Sequence, residues 1–355
     1  MNKDTYIKLR EFLDTLASGF PETPTGVELK ILKNLFTPEQ AELTMRLKEE
    51  PESVADIAAR IVGDEAELAP KLEEMAQKGL IYRVRKGDKR LYQAYQFILG
   101  IYEFQVKNLD KEFCELFEEY LPYYGISIKD VKTKQLRVIP VESAINTASS
   151  VATYNKVRDL VREQETIAVQ ECICSKEQEL LGNKCYKPQE TCIGFGDFAQ
   201  YYLDNNMARA INVDDALKLL DQAEEFGLVL QPTNTQEIGA ICCCCTCCCP
   251  GLRFAKMSKR PSKLFNSYYQ AKIDPTLCAG CGECIDRCPM DAIMESKDLS
   301  EIVDGRCIGC GLCVSTCPET AISLIAKPYM EAPPKDFEET LKIIKTERAA
   351  IASST

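Results

Sequence analysis

Cysteine is the residue type through which this chain could do chemistry, because it is abundant and closely grouped. The 355 residues include 20 cysteines and no histidine. From Cys242 to Cys249, seven of eight residues are cysteine, and only Thr246 interrupts them. Thiolates favour soft metals: zinc, Cu(I) or the iron of iron–sulfur clusters. The lack of histidine excludes histidine-ligated zinc and haem, Rieske centres and histidine acid–base catalysis.

The cysteines divide the chain into a cysteine-poor front half and a cysteine-rich back half. Residues 1–165 contain only Cys114, and residues 172–317 contain the other nineteen. The formal net charge of −11 disfavours nucleic acids and anionic membranes as partners. We find no apolar run long enough to cross a membrane and no secretory leader, so we expect a cytoplasmic protein. Disulfides are rare in that compartment, which favours metal binding or redox chemistry.

One cysteine motif occurs twice near the C-terminus. Both copies follow C-x2-C-x2-C-x3-C-P, from Cys278 to Pro289 and from Cys307 to Pro318. Three thiolates spaced in this way wrap a tight loop around one corner of a cubane, and the fourth cannot comfortably reach the same cluster. Glycines within each motif let the backbone approach closely. The pair of motifs resembles the bacterial two-cluster ferredoxin domain over about residues 270–327.

The resemblance to ferredoxins implies a crosswise assignment of ligands. One [4Fe–4S] cluster would be held by Cys278, Cys281, Cys284 and Cys317. The second would be held by Cys307, Cys310, Cys313 and Cys288. Every iron would then carry a protein thiolate, so we expect this module to move electrons and to catalyse nothing itself.

Two further sets of cysteines precede the ferredoxin motifs. The first set is Cys172, Cys174, Cys185 and Cys192. The second is the run 242–249, and a predicted helix from Asn212 to Gly227 separates the two sets. We expect this helix and the segment after it to bring the two sets together. In an extended chain, successive side chains of the run would point to opposite sides, so the run could not serve a single metal centre.

These eleven cysteines could fill two fully ligated cubanes and leave three over. One or two additional iron–sulfur clusters are favoured, and a single four-thiolate zinc site or a metal-free dithiol remains an alternative. Residues 135–330 resemble ferredoxin-domain proteins of anaerobic bacteria and archaea, in which asparagine is usual at the position of Cys243. The resemblance therefore implies ten additional ligands: Cys172, Cys174, Cys185, Cys192, Cys242, Cys244, Cys245, Cys247, Cys248 and Cys249.

The front half is predicted to form helices followed by a hairpin. Thr37 and Ser53 are predicted helix caps, and Pro70 is predicted to kink or begin the next helix. Residues 27–100 resemble a winged helix-turn-helix unit of the kind found in MarR-like regulators. The third helix, residues 64–78, carries a net charge of −3, whereas the wing, residues 83–90, carries +4. DNA binding is therefore disfavoured, and docking to a protein or homodimerisation is expected.

We therefore predict an α+β multidomain chain. It comprises a winged helix-turn-helix-like domain (1–110), a connecting region (111–165), a central cysteine-rich α/β metal-binding domain (166–260), a ferredoxin-like 2[4Fe–4S] domain (265–330) and a helical tail (331–355). The predicted function is electron transfer to a redox partner protein in anaerobic metabolism, with no catalytic residue assigned. The alternatives are a reductase, hence an oxidoreductase, with an unusual catalytic cluster, and a winged-helix redox-sensing transcription regulator.

Overall fold

The computed structural model describes residues 4–145, 155–328 and 331–353. Within those ranges, helices and mostly antiparallel sheets alternate, so the fold is mixed α/β. None of the helices in the described part of the chain is long and apolar enough to span a membrane.

The front of the chain is a helical bundle with a small sheet. Its helices are α1 (Thr5–Thr15), α2 (Val27–Leu35), α3 (Pro38–Thr44), α4 (Val54–Ile61) and α5 (Glu65–Gln77). Its strands are β1 (Glu52–Ser53), β2 (Tyr82–Lys86) and β3 (Lys89–Gln93), in the antiparallel order β1-β3-β2. The helices and hairpin expected from the sequence pattern are therefore present.

Local capping explains where these helices begin. Thr37 and Gln40 form the predicted capping box at the start of α3, and the Ser53 side chain accepts a hydrogen bond at the start of α4. Asp64 caps α5, which begins at Glu65. The prediction that a helix begins at Pro70 is wrong, because the Asp64 cap starts the helix earlier and Pro70 lies inside it.

The first hydrophobic core extends beyond these elements. Helix α6 (Lys111–Ile128) packs on α2, and Cys114 is fully buried within α6, as expected for a core residue. The same core includes Tyr201 and Tyr202 of α10 (Gly196–Asp204). The Tyr201 hydroxyl donates to the carbonyl oxygen of Ala76, 2.8 Å away, which fastens α10 to the end of α5.

A five-stranded antiparallel sheet forms the centre of the molecule. Its strands are β5 (Ile167–Glu171), β6 (Glu190–Phe195), β7 (Arg209–Ala210), β8 (Val229–Pro232) and β9 (Ala240–Cys244), in the order β7-β5-β6-β9-β8. Helices α10 and α11 (Val213–Glu225) pack on this sheet, and α8 (Val157–Arg162) packs on α11. The other helices of this part are α7 (Glu142–Ile145), α9 (Ile173–Leu180) and α12 (Pro250–Met257), of which α9 and α12 pack on α6. Asn212 caps α11 as predicted.

Short paired strands frame the C-terminal part. Strand β4 (Arg137–Val138) pairs with β10 (Asn266–Ser267), β11 (Tyr269–Ile273) with β14 (Ile322–Ala326), and β12 (Ile293–Ser296) with β13 (Leu299–Ile302). Helix α13 (Glu283–Arg287) lies between β11 and β12 in the chain, and a second hydrophobic core is continuous from the central sheet into these strands. The last helix, α14 (Phe337–Ala352), returns to the front bundle, where Arg348 bonds the Asp14 carboxylate.

Candidate metal centres

Two cavities in the C-terminal part are each lined by four cysteines. Each cavity takes three cysteines from one motif and the fourth from the other motif. The first is lined by Cys278, Cys281, Cys284 and Cys317. The second is lined by Cys288, Cys307, Cys310 and Cys313. The structure therefore brings together the same two sets of four thiols that the ferredoxin resemblance implies.

Backbone amides point at several of these sulfur atoms. The N–H groups of Ala271 and Ala292 donate to the sulfur atoms of Cys307 and Cys288, at 3.3 and 3.2 Å. The N–H group of Ala321 donates to Cys317 Sγ at 3.3 Å. Amide hydrogen bonds stabilise thiolates and clusters with negative charge, so these donors fit an iron–sulfur cluster.

Two positions show why the cysteine loops require glycine rather than a residue with a side chain. Gly280 and Gly309 have left-handed φ angles of +66° and +73°. A Cβ atom would lie 2.0 Å from the carbonyl oxygen of Asp298 at the first position and 2.2 Å from that of Tyr269 at the second. The loops therefore depend on glycine both for backbone conformation and for close packing.

Burial differs among the ferredoxin cysteines. Cys281 is exposed, whereas Cys284, Cys310 and Cys313 are buried. Burial raises the pKa of the Cys310 and Cys313 thiols, whereas hydrogen bonds from the Ser300 and Gly280 backbone lower the pKa of Cys278. Metal binding would have to displace protons from the buried thiols, as is general for thiolate sites.

Four thiols of the central region form what we call the outer group. It comprises Cys185, Cys245, Cys247 and Cys248, whose sulfur atoms all lie within 4.8 Å of one another. Cys185 approaches Cys247 at 3.5 Å, and Cys245 approaches Cys247 at 3.0 Å. This spacing suits four thiolates around one metal ion or small cluster.

The outer group shows where the side-chain alternation expected of an extended run ends. Strand β9 ends at Cys244, and the chain turns at residues 246–248. The turn brings Cys245, Cys247 and Cys248 to the same place, although strict alternation would have put Cys248 on the opposite side. Alternation holds only where the backbone is extended, which ends at Cys244.

Six other thiols form what we call the inner group. It comprises Cys172, Cys174, Cys192, Cys242, Cys244 and Cys249. Cys192 of β6 lies directly opposite Cys242 of β9. The Cys242 side chain neighbours both Cys192 and Cys244, and Cys244 also neighbours Cys249. The Cys172 and Cys174 thiols are also neighbours of each other, and both are free thiols.

Cys172 and Cys174 follow strand β5 and lie at the start of the next helix. Strand β5 ends at Glu171 after an irregularity in its pairing with β6. Cys172 is the N-cap of α9, and Cys174 lies in its first turn. This position brings the Cys172 thiol near Cys242 and the Cys174 thiol near Cys249.

A third cavity lies between the two groups of thiols. Its lining includes three outer and three inner cysteines: Cys185, Cys245, Cys248, Cys172, Cys244 and Cys249. Cys243 also contributes to its wall, but it lies between two members of the inner group on β9, and its side chain points to the other face of the strand. Cys243 is buried, and burial raises the pKa of its thiol.

Three polar residues beside the inner group were not singled out from the sequence. The Gln170 amide donates to Cys192 Sγ at 3.4 Å, and Ser175 is buried in the wall of the third cavity. Glu177 is fully buried and accepts a hydrogen bond of 2.5 Å from the Tyr102 hydroxyl, while burial raises its pKa to about 8. The spacing of Glu177 three residues after Cys174 on a helix was the available signal.

One comparison with known proteins gives a match. Residues 271–324 match the family model described as a 4Fe-4S dicluster domain. The chain matches no curated protein and no solved structure. The matched segment contains all eight motif cysteines and both C-terminal cavities. The C-terminal part of this chain is therefore a ferredoxin-type domain for [4Fe–4S] clusters.

Proposed function

We propose that this protein is a multi-cluster iron–sulfur electron-transfer protein, which relays low-potential electrons to a partner protein. The observation that carries the proposal is the pair of C-terminal cavities, each lined by four cysteines taken crosswise from two motifs. Bound [4Fe–4S] clusters supply centres that accept and release one electron each. With four thiolates per cavity, the protein leaves no iron open to substrate.

The residues of the ferredoxin domain have distinct roles in the proposed electron transfer. The four thiols of each cavity bind the irons, in the crosswise sets given above. The amides of Ala271, Ala292 and Ala321 stabilise negative charge on the sulfur atoms. Burial of Cys310 and Cys313 keeps water away from the second site, whereas the exposure of Cys281 gives the first site a route to a redox partner at the surface.

The segment between β4 and α7 connects the second ferredoxin site to the central sheet. The Val141 N–H donates to the carbonyl oxygen of Cys310 at 3.0 Å. Two residues earlier, the Ile139 N–H donates to the carbonyl oxygen of Leu230 at 3.2 Å, and Leu230 lies opposite Cys243 across β8 and β9. This short path of bonds supports electron exchange between the ferredoxin domain and one or two further clusters in the cysteine-rich region.

For the front of the chain we propose a winged helix-turn-helix-like unit that docks proteins or a second copy of the chain. The order of α3, α4, α5 and the β2–β3 hairpin supports this interpretation. Its basic hairpin is largely engaged within the chain: Arg83 is ion-paired with Glu73 and Asp204, and Arg85 also pairs with Asp204. These pairs leave less positive charge for phosphate, which weighs against a DNA-binding regulator.

A reductase is the second candidate, and Glu177 is the observation that favours it. With a pKa of about 8, this buried carboxyl holds a proton near neutral pH, close to the inner thiols. A proton source beside a redox centre is what reduction of a bound substrate requires. Addition of a substrate-like ligand would then change the spectrum of the reduced protein, whereas a pure electron carrier would show no change.

The test is an assay of iron, acid-labile sulfide and zinc per chain in anaerobically purified protein, followed by reductive titration. We expect more than about eight iron atoms per chain, with reversible one-electron steps. About eight iron atoms together with one zinc would restrict electron transfer to the ferredoxin domain. Fewer than eight in intact, folded protein would contradict the two-cluster assignment.

A further inference from the structure

We propose that the inner group of six thiols holds an iron–sulfur centre of its own, separate from the metal of the outer group. This inference rests on the proposed function, because it says where a further cluster lies. The proposed ligands are Cys172, Cys174, Cys192, Cys242, Cys244 and Cys249. Six thiolates exceed the four terminal positions of a [4Fe–4S] cubane, so the centre contains more iron or uses bridging thiolates.

The division of the thiols into two groups rests on the contacts among their sulfur atoms. The outer sulfur atoms lie within 4.8 Å of one another. The inner thiols form their own network, in which Cys242 is central because it contacts Cys192 across the sheet and Cys244 along the strand. The strand geometry explains this, since residues two apart on β9 share a face with the opposite residue of β6.

Two helices present their N-termini to the inner group. Cys172 is the N-cap of α9 and Cys249 is the N-cap of α12, and each helix has eight residues. The Cys172 sulfur faces the Ser175 N–H in the first turn of α9, and within the described chain Cys249 makes no side-chain cap hydrogen bond to α12. The positive ends of the two helix dipoles stabilise an anionic centre at this position.

Ser175 gives independent support for a bound group. It is 3 % exposed and lines the third cavity beside Cys172, Cys244 and Cys249. Its hydroxyl has no hydrogen-bond partner among the residues that the structure describes. A buried hydroxyl left without a partner is destabilising, and a cluster sulfide in the cavity would satisfy it.

The inner group also lies against the first hydrophobic core. Cys174 packs at the edge of that core. Tyr102 and Tyr202 are buried members of the core and lie beside the inner thiols. Cys247 of the outer group, in contrast, is exposed. The inner group has no exposed cysteine, whereas the outer group reaches the surface at Cys247.

Neighbouring cysteines on β9 provide a matched test in the full-length protein. Cys242→Ala removes an inner thiol, and Cys243→Ala removes the neighbouring, more deeply buried thiol from the opposite face of the strand. Cys247→Ser removes an outer thiol. Iron, sulfide and zinc per chain, with Mössbauer spectra of the iron-57 protein, are measured for each variant.

We expect Cys242→Ala to lose the iron of the inner centre and to keep both the outer metal and the ferredoxin's about eight iron atoms. Cys247→Ser is expected to do the reverse, and Cys243→Ala is expected to match the wild type. Unchanged metal in Cys242→Ala would overturn the proposal, as would loss of the same metal in both the inner and the outer variant. Retained ferredoxin iron shows that a variant is folded, and Cys192→Ser tests the inner centre again with a smaller change.

Ser175→Ala tests whether the Ser175 hydroxyl acts on the inner centre itself or only supports the fold. We expect unchanged iron content and a lower reduction potential of the inner centre, because a hydrogen bond to sulfur is lost. An unchanged potential would remove Ser175 from the proposal. A wild-type protein with only about eight iron atoms and no sulfide beyond the ferredoxin's would overturn this inference together with the multi-cluster relay. Excess iron that is undiminished in Cys242→Ala would overturn this inference alone.

Discussion

The ferredoxin domain and the cysteine-rich region solve the same problem, the convergence of thiols, in different ways. In the ferredoxin domain the spacing of each motif is enough, because a loop with thiols two residues apart and left-handed glycines curls around one point. In the cysteine-rich region the thiols come from two helix starts, two strands and a turn. A local loop tolerates change elsewhere, whereas a site built from distant elements depends on the whole fold.

The largest expected effect is the loss of a buried ferredoxin thiol. Cys310→Ala should cost about four iron atoms per chain and strongly lower the melting temperature, because structural metal binding contributes directly to folding. Metal analysis and thermal unfolding measure both effects. Cys114→Ala is the matched control, since Cys114 is also buried but lies on α6, outside the ferredoxin domain. We expect it to keep all iron, and a loss of iron there would break the comparison.

A smaller but still large effect is expected from Gly309→Ala. The new methyl group would overlap the Tyr269 carbonyl oxygen at 2.2 Å with φ at +73°, so the loop must shift and the second site should lose iron. We expect more than about 3 kcal/mol of destabilisation.

Gly182→Ala is the control from the cysteine-rich region. Gly182 has φ at +89° but nothing within 4 Å of the added methyl group, so only the backbone penalty of about 1 kcal/mol applies. Equal losses in the two variants would show that close packing in the ferredoxin loop does not matter.

Glu177 gives the cysteine-rich region a pH dependence. Its pKa is about 8 in the folded protein because burial disfavours the charged form, against 4.5 for an unburied glutamate. Its stabilising contribution is fully present below the unfolded value and is lost as the pH rises through about 8. Between these two pKa values, the free energy of unfolding falls by at most about 1.4 kcal/mol per pH unit.

Glu177→Gln should flatten the fall in melting temperature between about pH 6 and pH 8 and leave the iron content unchanged. Glu179→Gln, at an exposed position on the same helix, should retain the wild-type profile. Identical profiles for the two variants would mean that Glu177 ionises normally in the folded protein.

The smallest expected effect concerns Ser300 in the ferredoxin domain. Its hydroxyl and backbone N–H both bond the Cys278 sulfur and lower the pKa of that thiol. Ser300→Ala should keep all iron and lower the reduction potential of the first site by at most roughly 40 mV, the equivalent of one hydrogen bond of about 1 kcal/mol. Redox titration measures this shift, and a loss of iron instead would mean that Ser300 is required for assembly.

Several features of the fold were predictable because their signals are local. The Thr37, Ser53 and Asn212 caps start helices where expected, since a cap depends on three or four consecutive residues. The alternative in which a helix begins at Pro70 is wrong, because Asp64 caps α5 six residues earlier and the proline lies inside the helix. The front bundle also shares its core with α10, a contact between residues more than a hundred positions apart that no local pattern encodes.

The sequence by itself determined that the protein binds metal through thiolates, and its repeated motif determined which eight thiols meet in the ferredoxin domain. Only the tertiary structure decided how the run 242–249 is used. A strand fixes two-residue alternation, but the end of β9 at Cys244 and the turn after it sort the remaining thiols into different groups. Where a strand stops and which strand lies opposite depend on packing across the whole sheet, so identical neighbouring residues acquire different surroundings.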